Sequence, residues 1–269
     1  MGYVAPTWQN GGPPALNAKN MQDISDNLAY VSNNMVNPNL LDNWYFGNPV
    51  NQRGASGTIS TAGYFFDRWK LVSGSVTINS GGIVLNGTIA QVLEYAVGQT
   101  VTATVLTPDG VTDVTPVYDD ETKTFTITTQ GKTIRAAKLE LGAQQTLAHQ
   151  ENGVWVLNNI PKFGDQLAEC QRYLIDIEGR YSIIQSFGSY GSWFSIRLPC
   201  DMRANPSFIT QDASRAYVMR GGAPVEGATI NWSLAPGAGR TLIAQSSIVG
   251  QFADCLVIGP KAIFVSAEL

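Results

Sequence analysis

Apolar side chains between residues 17 and 35 recur at Met21, Ile24, Leu28, Val31 and Met35, spaced 3, 4, 3 and 4 apart. That is the a/d seam of a heptad pattern. The positions between are mostly polar or small: Gln22, Asp23, Ser25, Asp26, Asn27, Ser32 and Asn33. Asn17 supplies a good N-cap and Pro38 a stop, so the pattern predicts one short helix. A helix packed on its own domain usually shows a wider apolar stripe, so the narrow seam points to helix-on-helix self-association. A short helix docked on the domain behind it is the alternative. Only about two heptads are present, and an isolated helix of that length is marginal. A bundle therefore needs the domains behind it to associate as well.

Beyond Pro38 the period changes. Turn clusters recur at Asn48-Pro49, Gly54 to Gly57, Gly81-Gly82, Pro108-Asp109-Gly110 and Asp119-Asp120. Short Val, Ile, Thr, Phe and Tyr runs lie between them. From Thr122 to Thr128, Phe125 and Ile127 alternate with Thr124, Thr126 and Thr128, which predicts a half-buried strand. Residues 143–168 lose the alternation and read as a linker or irregular segment. A second strand-rich block follows. Tyr173, Ile175 and Ile177 alternate with Arg172, Asp176 and Glu178, and Phe194, Ile196 and Leu198 with Ser195 and Arg197; the close, Ala262 to Leu269, repeats the habit. The expected fold is mainly β: an N-terminal arm and coiled-coil helix (1–37), an antiparallel β-sandwich (38–142), a linker (143–168) and a C-terminal sandwich (169–269).

Composition narrows the partners. Charged residues are 14% of the 269, and 17 basic against 21 acidic side chains give a net charge of −4. Such a surface repels a nucleic-acid backbone or an anionic membrane, so neither is an expected partner. The first twelve residues show neither a basic region nor an apolar run, so no signal peptide is expected. The three cysteines at 170, 200 and 255 are widely spaced and without a CxxC, which predicts thiols rather than disulfides.

The chain offers little material for catalysis or metal binding. Its single histidine, His149, sits in the polar stretch Ala148 to Gly153 and reads as an exposed turn residue. No GxSxG, GxGxxG, P-loop, HExxH or EF-hand pattern occurs. Asp119-Asp120-Glu121 reads as a hairpin turn rather than a calcium loop. No catalytic residue, metal or cofactor is expected, although paired carboxylates for polysaccharide cleavage carry no motif that would exclude them. Aromatic side chains are the remaining resource, because a pyranose face is apolar and its rim polar. Tyr190 and Trp193 fall in the Gly/Ser-rich stretch 187–193 just before a strand, and Trp232 follows a second loop at 220–224; the alternative is that Trp193 starts the strand and that these rings are core. Trp8, in the Pro/Gly-rich arm, is the candidate contact to a partner; packing back on its own chain is the alternative.

Three groups of segments resemble phage tail and baseplate fibre proteins. Pro6-Thr7-Trp8-Gln9-Asn10-Gly11 with Leu16-Asn17-Ala18-Lys19-Asn20-Met21 is similar to their attachment arm and helix. Asn39-Leu40-Leu41-Asp42-Asn43, Pro49-Val50-Asn51-Gln52-Arg53-Gly54 and Tyr64-Phe65-Phe66-Asp67-Arg68-Trp69 resemble a virion-fibre sandwich akin to carbohydrate-binding modules, with Lys138 to Gly142 as its closing strand. Gly164 to Tyr173 and Leu198 to Pro206 resemble a C-terminal tip sandwich. Leu174 stands where that family repeats a tyrosine, and Cys200 replaces a commoner valine. The resemblance implies jelly-roll-like sandwiches and a homotrimeric fibre, assembled in the host cytoplasm and carried on the virion. It also implies another virion protein at the N-terminal arm and a host-surface glycan as ligand. It makes the motifs scaffold, with Asp67, Arg68 and Trp69 forming a buried ion pair under an indole and with Arg172 and Arg203 structural. A purely architectural fibre, on tail or head, is the alternative; a polysaccharide depolymerase is the third reading.

The seam generates a direct test. Replacing Ile24 and Leu28 with Asp would bury charge between helices, so light scattering should show the assembly falling towards monomer. A stable monomer from the unmutated chain contradicts the seam.

Overall fold

The computed structural model describes residues 19, 21–25, 36–187, 191–210, 212–220, 222–225, 230–234, 241–246 and 255–268. Trp8 and Tyr190 lie outside these residues, as do Leu28, Val31 and Met35 of the seam. Residues 19 and 21–25 are helical, and Met21 and Ile24 are exposed. The rest is mainly β, in several antiparallel sheets.

The first unit is built from strands β1 (Thr58–Ile59), β2 (Gly63–Phe66), β3 (Trp69–Asn79), β4 (Gly82–Val92), β5 (Val101–Leu106), β6 (Val117–Asp119), β7 (Thr124–Ile134) and β8 (Ala136–Leu141). β1, β3, β4, β7 and β6 form one sheet in that order, with β2 also on β3, while β5 pairs with β8. The alternation read from the sequence holds in β7, where Phe125 and Ile127 are fully buried and Thr128 is exposed. Both sheets feed one core: Leu71, Leu85 and Ile89 from the larger, Val105, Ala137 and Leu139 from the smaller. Trp69 stands at its centre, edge-on to Phe46 at 5.0 Å and to Phe125 at 6.2 Å. Its indole N–H donates to the Asn43 carbonyl at 2.9 Å, which removes the cost of burying that group.

The segment expected to be an irregular linker is ordered. It contains the hairpin β9 (Ala148–Glu151) and β10 (Val154–Leu157), and then a helix, α1 (Phe163–Gln171). The hairpin extends the first core, because Leu147, Ala148, Trp155 and Leu157 pack into it. Gly110, at φ +131°, leaves room for the Trp155 indole, which a Cβ there would meet at 2.7 Å. Four residues per strand are too few for alternation to stand out, and Val154 and Val156 remain exposed. In α1 the apolar positions 163, 167 and 170 carry helical spacing, but only across nine residues, and no side chain caps the N-terminus. His149 lies on β9 rather than in a turn, still exposed.

The second unit is an eight-stranded sheet: β15 (Ala223–Pro224), β14 (Ala216–Arg220), β18 (Cys255–Ser266), β11 (Leu174–Phe187), β12 (Gly191–Arg197), β17 (Thr241–Ser246) and β16 (Ile230–Leu234) in order, with β13 (Ser207–Thr210) also on β18. Phe194, Ile196 and Leu198 are buried as expected, with Ile175, Ile177 and Val218 in the same core. The closing strand departs from its expected alternation: Ala262 to Val265 are all buried. β18 is central, and its two halves, on either side of Lys261 at φ +57°, take different neighbours. Residues 255–258 pair with β11 and β14, and 263–266 with β11 and β13. A strand covered on both faces loses the period-2 signal. Among the described residues no helix is long and apolar enough to cross a membrane.

Candidate functional site

Residues from the fibre-like motifs converge where the two units meet. Asp67 and Arg68 form the two-residue turn between β2 and β3, with Phe66 paired to Trp69 across it. Such turns favour positive φ, and Arg68 adopts +71°, uncommon for a residue with a Cβ. Its guanidinium is 1% exposed. Nε donates to Asp42 at 2.9 Å, Nη2 to the Val92 carbonyl at 2.6 Å, and Nη1 reaches Glu268 of the second unit at 3.4 Å. The same guanidinium lies over the Tyr173 ring at 3.5 Å. Burial opposes its charge, but Asp42, Tyr173 and Glu268 outweigh that and raise its pKa.

The expected ion pair under an indole is therefore corrected. Arg68 pairs with Asp42 and Glu268, beneath a phenol ring. Asp67 instead accepts from Gln52 through its backbone N–H at 3.2 Å and its side-chain Nε2 at 2.7 Å. Gln52 also spans the units, donating to the Leu174 carbonyl at 2.7 Å and accepting from the Asp176 N–H at 3.2 Å. Burial pushes the Asp67 carboxyl up to about 6, with the Gln52 bond pulling the other way.

Further contacts tie the junction. Tyr173 donates its hydroxyl to Glu94 at 2.6 Å, and Arg172 pairs with Glu94 at 3.0 Å, consistent with the structural role expected for Arg172. Burial favours the neutral form of Glu94, but these two partners hold its pKa below the usual range. Arg203 donates its backbone N–H to the Arg172 carbonyl at 2.9 Å. Gly54, at φ +67°, faces Lys261, whose ammonium a Cβ would overlap.

A second buried pair has no trace in the sequence pattern. Lys138 and Glu140 sit two apart on β8, which normally marks a solvated face. Both are buried, 3.2 Å apart. Thr146 covers them: its hydroxyl bonds to both side chains and its N–H donates to Glu140.

The sequence-predicted ligand contacts do not gather into one site among the described residues. Trp193 lies within strand β12, the alternative to a loop position, and is half-buried beside the buried Phe194. Trp232, on β16, packs against the second core and stacks on Phe208 at 5.9 Å. Around the second loop, Arg220 of β14 pairs with Ala223 of β15 and Met219 with Pro224. Asp119 and Asp120 form the expected turn: Asp119 accepts from the Glu121 and Thr122 N–H groups, Asp120 from those of Val97 and Gly98. The three cysteines are thiols; Cys170 is buried, which pushes its pKa up. Among the described residues no cluster of three His, Cys, Asp or Glu could hold a metal ion.

The residues 36–44 separate two clefts that sequence reasoning missed. One, of about 500 Å³, lies between this segment and α1, lined by Trp44, Leu147, Ile160, Gln166 and Glu169. The other, of about 350 Å³, is lined by Leu40, Glu94, Tyr95, Val97, Leu141 and Tyr173. Asp42 lines both. Neither was legible in the sequence, because each joins segments distant along the chain.

The junction carries a pH dependence. Asp67 has its folded pKa raised from 3.8 to about 6, so its favourable contribution is complete below about pH 4 and is lost as pH rises through 6. A shift of this size corresponds to up to about 3 kcal/mol. Urea unfolding of Asp67→Asn between pH 4 and 7 should lack this downward slope, and a slope equal to that of the unmutated chain contradicts the assignment.

No family model, curated protein or solved structure matches the chain.

Proposed function

We propose that the chain is a structural fibre protein of a phage or phage-like particle, attaching the particle to its host through a surface glycan. The observation that carries this reading is the convergence of Gln52, Asp67, Arg68, Arg172, Tyr173 and Arg53, the last paired with Glu268 at 3.4 Å. These are residues of the fibre-like motifs, and they meet at the junction between two β-rich units. A fibre needs its units held in fixed register, and scaffold motifs at such a junction suit that need. In this reading each core lies in a jelly-roll-like sandwich. The exposed Met21 and Ile24 belong to a coiled coil of three copies, since docking on the β units would cover them. The N-terminal arm, with Trp8, then contacts another virion protein. No catalytic step is assigned.

A purely architectural fibre is the second reading. The inward stacking of Trp232 on Phe208 favours it, because a ring engaged that way is a poorer sugar platform. Competition separates the two. Host cells preincubated with the purified assembled chain should adsorb several-fold fewer particles. Unchanged adsorption, with the chain located on the particle by imaging, sinks attachment and leaves architecture.

A further inference from the structure

The cleft beside Arg68 and Tyr173 combines an exposed aromatic on an anchored loop with an oriented carboxylate. Tyr95 is 78% exposed, more than any other large apolar or aromatic side chain among the described residues. A single exposed ring on a mobile loop is ordinary. This loop is anchored at both ends. The Leu93 N–H donates to the Lys123 carbonyl at 2.8 Å, and the Gly142 N–H to the Thr100 carbonyl at 2.9 Å. Between them the Asp120 carboxylate gathers the Val97 and Gly98 N–H groups and the Tyr118 hydroxyl. Stacking on a ring carried by an anchored backbone leaves only its side-chain rotamers to order, which lowers the conformational entropy cost.

Glu94 adjoins Tyr95 in the same cleft. Its carboxylate is oriented by the Tyr173 hydroxyl and Arg172, and its side chain is 16% exposed. Two oxygens offer roughly four acceptor sites, so acceptor capacity remains for a ligand hydroxyl. Leu141, which is 43% exposed, and the partly buried Leu40 and Val97 supply an apolar wall. Of the charged groups on the cleft, Asp42 and Glu94 are acidic, and Arg68 is engaged by Asp42, Glu268 and the Val92 carbonyl.

We infer that this cleft binds a neutral pyranose unit of a surface saccharide, with the sugar face stacked on Tyr95 and ring hydroxyls donating to Glu94. The inference rests on the attachment reading and relocates its ligand contact to the first β unit. About 350 Å³ lies at the small end of ligand sites and suits one sugar unit of a longer chain. The expected contact is weak, and repetition across three copies would raise its avidity by roughly 10²–10⁴ where geometry permits.

The test is saturation-transfer NMR on the full chain with a panel of methyl pyranosides: glucoside, galactoside, mannoside, rhamnoside and N-acetylglucosaminide. At least one should receive saturation from the unmutated protein. Tyr95→Ala should abolish that transfer and Tyr95→Phe should retain it, with unchanged melting temperatures showing both variants folded. No transfer to any panel member overturns the site, and so does transfer that survives in Tyr95→Ala. Transfer that survives Tyr95→Ala but is lost in Tyr190→Ala keeps glycan attachment and rejects this cleft, so the two failures are distinguishable.

Discussion

The burial of the Arg68 guanidinium is the constraint on which the junction depends. A cation removed from water is tolerated only when its charge and N–H groups are met. Asp42, the Val92 carbonyl, Glu268 and the Tyr173 ring meet them from segments far apart in the chain. Removing one partner of such a buried arrangement typically costs about 3–5 kcal/mol, chiefly from the charge left unmatched. Arg68 holds a positive φ in the two-residue turn that joins β2 to β3 and carries its side chain into the junction. Turn, strand pair and junction therefore specify one another.

Tyr173 carries that constraint outward. Its ring receives Arg68 on one side while its hydroxyl fixes Glu94 at the mouth of a cleft. The residues that hold the units together thus also orient the acceptor beside Tyr95. A scaffold motif can shape a ligand site without touching a ligand, which is how the motif positions and the proposed sugar contact coexist here.

Strands with one wet face were legible in the sequence. Phe125 and Ile127 on β7, and Phe194 and Ile196 on β12, alternate because one side of the sheet is core. Legibility failed where that condition failed. The end of β18 is covered on both faces, so its side chains do not alternate. Lys138 and Glu140 read as a solvated face, yet Thr146 folds over them. Helix α1 was too short for its period to register. The ion-pair partners of Arg68 lie 26 and 200 positions away, beyond any local spacing rule. Candidate binding residues suffered most. Trp232 looked like a platform by composition, but ring exposure is a tertiary property, and the loop that carries Tyr95 is anchored by Asp120 on another turn.

The claim that one buried arginine couples the two β units is tested most directly by a double-mutant cycle. Urea unfolding would be measured for the unmutated chain, Arg68→Met, Glu268→Gln and the double variant. Residues that share a buried ionic contact show coupling of roughly 0.5–3 kcal/mol. The account predicts a coupling of at least about 1 kcal/mol within that range, despite the 200 positions between the two residues. Additive effects, with coupling below about 0.3 kcal/mol, would contradict it.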